Sequence, residues 1–210
     1  MTSAAPTAAA IVLCGGTSRR FGGIDKTAQP LGSATVLDSL LVALPAHWPI
    51  VCVGVQRELR QTMRRSVAWT REDPPLAGPV AGIAAGLAAL DDLDHLDDCR
   101  GSDADLVLVL AGDQPFAGEV AGDLVRVLHA AARTIDAVAA SDDGRAQLLL
   151  CAYRRGPLAA LLTGDVAGGG VYRTLAPLRV QTLAVAERVT LDVDAPADLA
   201  HARGLNAPDI

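Results

Sequence analysis

Residues 9–26 read AAIVLCGGTSRRFGGIDK. The first six are apolar at every position. A strand of that kind is buried on both faces, as in parallel sheets covered by helices. The next twelve cannot extend it: they hold four glycines, two arginines and a closing Asp-Lys. Glycines let backbone N–H groups approach a phosphate chain closely, and arginine and lysine supply charge. In open parallel sheets ligands bind beyond the carboxyl ends of the strands. The stretch is therefore a candidate phosphate-binding loop, the alternative being a flexible glycine-rich turn. It is neither a Walker A loop, which needs Gly-Lys-Ser/Thr, nor GxGxxG.

The same alternation continues outward. PIVCVGV (49–55), VAWT (67–70) and DLVLVLAGD (105–113) read as strands. VLDSLLVAL (36–44), an Arg-rich stretch near 57–65, PVAGIAAGLAAL (79–90) and EVAGDLVRVLHAAAR (119–133) read as helices. Apolar strands alternating with helices predict a parallel sheet covered on both faces. Further on, DAVAA and RAQLLLCAY flank DDG and predict a strand pair around an Asp-Gly turn. GPLAALL and YRTLA read as short helices, LRVQTLAV and TLDVD as strands, and PADLAHARGL as a last helix with Pro196 in its first turn. The acidic run 91–103 lacks the ligand order of an EF-hand and reads as a solvated loop. The expected fold is a Rossmann-like three-layer α/β/α domain over 1–210, mostly parallel with a mixed edge.

The chain has 210 residues, enough for one domain with a core. Hydrophobic residues make up 50% and aromatics 3%, so Ala, Val, Leu and Ile must fill the interior. Net charge is −6, which argues against nucleic acid as a partner. No apolar run approaches the ~18 residues of a membrane span. The apolar N-terminus has no basic region and Leu13 before Cys14 is not small, so no secretion signal is expected. The four cysteines make no CxxC and no zinc pattern, which fits a reduced, cytoplasmic protein. Of the 18 basic residues one is lysine, Lys26; the other 17 are arginine.

Three more stretches could carry chemistry. In LAGDQP (110–115), Asp113 ends an apolar strand. With strand order 3-2-1-4 it lies beside Gly15 and Gly16, where a carboxylate facing a phosphate needs a bridging divalent cation. Its alternative is a helix cap. In LDVDAPADL (191–199), Asp192 and Asp194 can share a face and complete such a site, or Asp194 can cap the last helix. In REDPPLAGPVAGIAAG (71–86), Gly78, Gly82 and Gly86 recur every four residues. They make a smooth helix face suited to a planar ring or to tight packing on the sheet. No His, Ser or Cys stands in a nucleophile–base arrangement, which argues against acyl transfer. Nucleotidyl transfer to a phosphate needs no such base, because that phosphate is mostly ionised at pH 7.

Together these segments resemble the molybdenum cofactor guanylyltransferases (MobA-type). LCGGTSRRFGGIDK (13–26) is similar to the family's LAGGxSxRMGxDK, and REDPP with GPVAGIAAGL to its acidic residue followed by GPLAGI. LAGDQPF resembles its D-x-P-F/Y strand end, and LDVDAPADL its NxNTPEDL or DVDTPEDL close. The four segments occur in family order across most of the chain. The resemblance implies transfer of GMP from GTP to the phosphate of molybdopterin, with Mg²⁺ as cofactor and release of pyrophosphate. It implies that Leu13, Cys14, Gly15 and Gly16 hold the nucleoside by backbone contacts, with Gly54, Asp73, Gly78 and Gly82 nearby. Arg19 and Lys26 would hold the triphosphate, Asp113 and Asp194 the metal, and Arg173 and Asp192 would face the acceptor. Partners would be GTP, molybdopterin and molybdoenzyme maturation or molybdenum-insertion proteins. Cys14 stands where Ala is usual, Phe21 where Met is common, Gly54 where some members have Asn, and Asp192 and Asp194 replace an Asn pair. The rival enzymatic reading uses CTP or another phosphate acceptor. The rival non-enzymatic reading is a degenerate nucleotide-binding partner protein.

Overall fold

The computed structural model describes residues 8–16, 19–59, 67–96, 105–164 and 166–206. Strand β1 (Ala8–Leu13) pairs in parallel with β4 (Ile50–Val53) on one side and β6 (Leu106–Ala111) on the other. Beyond β4 lies β5 (Ala68–Thr70), also parallel. This is the expected order 3-2-1-4 among the first four long strands. Beyond β6 the sheet turns mixed: β8 (Gln147–Arg154) runs antiparallel to both β6 and β7 (Ala137–Ser141), and β9 (Val180–Ala184) is parallel to β7. Among the described residues the full order is β5-β4-β1-β6-β8-β7-β9. A small hairpin, β2 (Pro30–Leu31) with β3 (Ala34–Thr35), was not expected from the sequence. Two-residue strands leave too short a pattern to read.

Alternation along β1 divides the core. Ala10 and Val12 face α1 (Val36–Ala43) and α3 (Ala121–Ala130), while Ala9 and Ile11 face α2 (Pro79–Leu96) and α4 (Arg155–Leu161). Helix α1 starts where a capping box forms: Thr35 Oγ1 accepts from the Asp38 N–H at 3.0 Å, and Asp38 Oδ2 accepts from the Thr35 N–H at 3.3 Å. Of the two readings of the glycine-faced helix, packing holds at Gly86, where a Cβ would sit 2.5 Å from Ile11 Cγ2. Two further helices, α5 (Val171–Thr174) and α6 (Pro196–Leu205), flank the carboxyl edge.

Four local expectations need correction. Residues 56–59 carry no helix, and 60–66 lie outside the described residues. Helix α2 continues to Leu96, so the acidic run is helical over 91–96 rather than a loop; its remainder, 97–103, lies outside the described residues. Carboxylates on the solvent face of a helix cost it little, which composition alone does not reveal. Residues 117–120 are a separate 3-10 turn before α3. TLDVD (190–194) is not a strand: Thr190 ends a 3-10 turn, Glu187–Thr190, and 191–194 are irregular backbone in which the Val193 N–H donates to the Asp113 carbonyl at 3.0 Å. No helix among the described residues is long and apolar enough to cross a membrane.

Candidate functional site

The carboxyl ends of four parallel strands are joined by single backbone bonds. The Cys14 N–H donates to the Val53 carbonyl (2.8 Å), Gly112 to Leu13 (2.9 Å) and Gly54 to Thr70 (2.8 Å). Two of the three donors are glycine for a steric reason. A Cβ on Gly54 would lie 3.0 Å from the Cys14 carbonyl carbon, and one on Gly112 would lie 3.0 Å from the Leu13 oxygen. Gly54 also has φ near 150°, a conformation that L side chains rarely adopt. Gly54 underlies the Cys14–Gly15 backbone and lines the basic cavity beside Lys26.

From that platform the glycine-rich loop runs to a 3-10 turn at Lys26–Ala28. Asp25 caps the turn, its Oδ1 accepting from the Thr27 N–H (2.9 Å) and hydroxyl (2.8 Å). The Arg57 guanidinium pairs with Asp25 and donates to the Cys14 carbonyl at 3.3 Å, clamping the two ends of the loop. Arg57 was not singled out in the sequence, where it read only as part of an Arg-rich stretch. The backbone of Arg19 lies in a 3-10 turn, Arg19–Phe21, and its side chain falls outside the described residues.

Lys26 is thereby aimed across the carboxyl edge. Its Nζ pairs with Asp113 and, at 2.6 Å, with Asp194 Oδ1. Burial works against the ammonium, but the two carboxylates outweigh it and hold its pKa above the ordinary lysine value. Neither carboxylate is a helix cap. Asp198 Oδ2 caps α6 by accepting from the Asp194 and Ala195 N–H groups, at 3.0 and 2.7 Å. The turn after β6 has Phe116 at its cap position, with no side-chain bond. Asp192 completes a row of three carboxylates. Burial, then the Asp113 charge, pushes its pKa up to about 6, against a Gln114 hydrogen bond and Lys26.

Asp113 Oδ1 and Gln114 Oε1 are both buried without a partner. Among the described residues no three His, Cys, Asp or Glu form a ready metal cluster. Two hard carboxylates with an unpaired oxygen suit a small divalent cation that takes its remaining ligands from substrate phosphates.

Three cavities meet here. One of about 310 Å³ has apolar walls, Leu13, Val53, Leu76 and Pro79, with Gly15, Gly16, Gly78, Gly82, Glu72 and Asp113 around them. A second, about 290 Å³, holds Gly15, Gly16, Lys26, Arg57 and Arg71. A third, about 430 Å³, lies across Asp113 and contains Gln114, Gln147, Tyr172, Asp192 and Asp194. Asp73 is exposed, and its neighbour Glu72, which is buried, lines both of the first two cavities. A pair of adjacent acids gives no hint of which one turns inward. Arg173 is exposed, and Val171 and Tyr172 are the residues of α5 that line the third cavity. Cys14 is buried, with the neighbouring Cys52 thiol, then burial, holding its own thiol well above the ordinary value, so it offers no nucleophile.

Known proteins resemble this chain in sequence and in fold. A molybdenum cofactor guanylyltransferase of Mesorhizobium japonicum is 36% identical over 126 residues, 60% of this chain and 55% of that protein. Thus the match spans little more than half of that relative's length. A crystal structure of molybdopterin-guanine dinucleotide biosynthesis protein A from Archaeoglobus fulgidus superposes with TM-score 0.65 at 22% identity, covering 93% of this chain and 97% of that one. A 4-diphosphocytidyl-2C-methyl-D-erythritol synthase superposes with TM-score 0.64 at 18% identity, covering 98% and 100%. At such identities the two structures establish the fold. The sequence model of the MobA-like NTP transferase domain matches residues 10–182, which include most of β1, the glycine-rich loop, Lys26 and Asp113, and by that match the chain belongs to the MobA-like NTP transferase family.

Proposed function

We propose that the protein transfers GMP from GTP to the phosphate of molybdopterin and releases pyrophosphate. One observation carries this reading: Lys26 bridges Asp113 and Asp194 where the apolar, the basic and the carboxylate-lined cavities converge. Nucleotidyl transfer needs such a junction. An oxygen of the acceptor phosphate attacks the α-phosphorus, the bond to the β-phosphate oxygen breaks, and pyrophosphate leaves with the electron pair. In this reading Leu13, Cys14, Gly15 and Gly16 hold the nucleoside through the backbone, with Gly78 and Gly82 leaving room for the ring. Arg19 and Lys26 neutralise the triphosphate; the third cavity, with Asp192 and Tyr172, takes the acceptor.

Asp113 and Asp194 would hold Mg²⁺, which supplies charge neutralisation to the α-phosphate and the leaving group. The acceptor phosphate is mostly dianionic at pH 7, so no general base is required. Positioning and charge carry the step. The test is pyrophosphate release from purified protein with Mg²⁺, molybdopterin and each nucleoside triphosphate in turn. Release with GTP alone is expected. Release with CTP and not GTP would move the protein to the cytidylyl reading, and none with any nucleotide would favour a binding protein.

A further inference from the structure

Arg57 lines the basic cavity together with Lys26, yet its own donors are already taken. One nitrogen of its guanidinium, Nη1, donates to the Asp25 carboxylate and to the Thr27 hydroxyl. The other, Nη2, donates to the carbonyls of Cys14 at 3.3 Å and Val55 at 3.4 Å. The fifth donor, on Nε, is buried without a partner. The guanidinium carbon lies over the Trp69 ring of β5, 5.6 Å from its centroid. A guanidinium has five N–H donors and no acceptor, so Arg57 has no exposed donor left for a phosphate.

What it grips instead is the backbone on both sides of Lys26. Asp25 and Thr27 flank that lysine in sequence, and both are bonded to the same guanidinium nitrogen. The Thr27 hydroxyl in turn donates to Asp25 Oδ1 at 2.8 Å, which closes a ring of three side chains around Lys26. Thr27 is buried and the Arg57 side chain is 16% exposed, so little water competes for these bonds. With both neighbours fixed, the Lys26 side chain starts from one place and reaches Asp113 and Asp194 across the strand ends. Resting on the reading of Lys26 as a phosphate ligand, we propose that Arg57 is the positioning residue for Lys26. It binds no phosphate itself, and it holds Asp25 and Thr27 so that the ammonium stands where the triphosphate lies. Lysine cannot replace it. An ammonium is a point charge with three donors, and it cannot serve two side chains and two carbonyls while lying flat on an indole. Arg57→Lys therefore keeps the charge of the cavity and removes the grip.

A double-mutant cycle tests this. Equilibrium binding of inorganic tripolyphosphate at fixed Mg²⁺ is measured for wild type, Arg57→Lys, Lys26→Ala and the double variant, each with its melting temperature. Lys26→Ala is expected to bind at least ~10-fold more weakly than wild type. Arg57→Lys is expected to lose at least ~5-fold when Lys26 is present and less than ~2-fold when it is alanine. Equal losses in the two backgrounds would make Arg57 a ligand in its own right and overturn the positioning role. Wild-type affinity of Arg57→Lys, with or without a lower melting temperature, would make Arg57 structural only and overturn it as well. Wild-type affinity of Lys26→Ala overturns the reading of Lys26 itself, and the role of Arg57 falls with it. Should Arg57→Lys not fold, Asp25→Asn takes its place in the cycle. It keeps an acceptor to cap the 3-10 turn and loses the charge facing Arg57. It is expected to lose ~3-fold with Lys26 present and less than ~2-fold without it, and equal losses again overturn the proposal.

Discussion

The parallel and the antiparallel halves of this sheet are held by different means. Where β5, β4, β1 and β6 end, the chain is joined by backbone bonds across Gly54 and Gly112. Where β8, β7 and β9 meet, side chains anchor the fold. Arg154 is buried and donates to the carbonyls of Ile135 (2.8 Å), Leu128 (3.1 Å) and Ala131 (3.2 Å) at the end of α3. Arg179 and Asp136 join β9 to β7 through bonds of 2.9 and 3.2 Å. The first half gathers charge at the candidate site and keeps its strand ends together through glycine. The second spends charge on shape. Mutations should therefore separate activity from stability according to the half they fall in.

The sharpest break is Asp113→Asn, which keeps size and removes the charge facing Lys26. Turnover is expected to fall at least ~10²-fold with little change in melting temperature, measured on one purified sample. Unchanged turnover at saturating Mg²⁺ would remove Asp113 from the reaction. Arg154→Met should do the reverse. It strands several carbonyls at the C-terminus of α3, costing about 2–3 kcal/mol, while the folded fraction keeps its specific activity. Urea denaturation beside an activity assay reads both.

Gly54→Ala probes the backbone platform. Its φ and its 3.0 Å clearance to Cys14 predict a cost of about 1–3 kcal/mol, with weakened nucleotide affinity as the glycine-rich loop shifts. Equal affinity in a calorimetric titration would show that the loop does not depend on that contact. Asp136→Asn is the mildest. The Arg179 guanidinium holds the Asp136 carboxyl below its usual range, so its contribution is present above the ordinary carboxylate pKa and is lost as pH falls through the lower folded value. A loss of roughly 2–4 °C is expected at pH 7, narrowing below about pH 4 until variant and wild type melt together.

The strands were legible because burial on both faces leaves an unmistakable apolar run, and β1 and β6 are such runs. Lys26 and Asp113 were legible because each closes a segment whose composition already announces a strand end. The tertiary structure decided what no local pattern holds. Lys26 meets Asp194 across 168 residues. Asp198 rather than Asp194 caps α6, which frees Asp194 to face the lysine. Glu72, not Asp73, turns into the cavity. Residues 190–194 looked like a strand because Val193 is apolar between acids, yet Thr190 closes a 3-10 turn and 191–194 run as irregular backbone, with Val193 bonded to the Asp113 carbonyl. The sequence by itself determined the alternation of strand and helix and the loop chemistry, because periodicity and composition are local. Only the folded chain decided which charges face one another, because partner choice depends on distances set by the packing of the whole sheet.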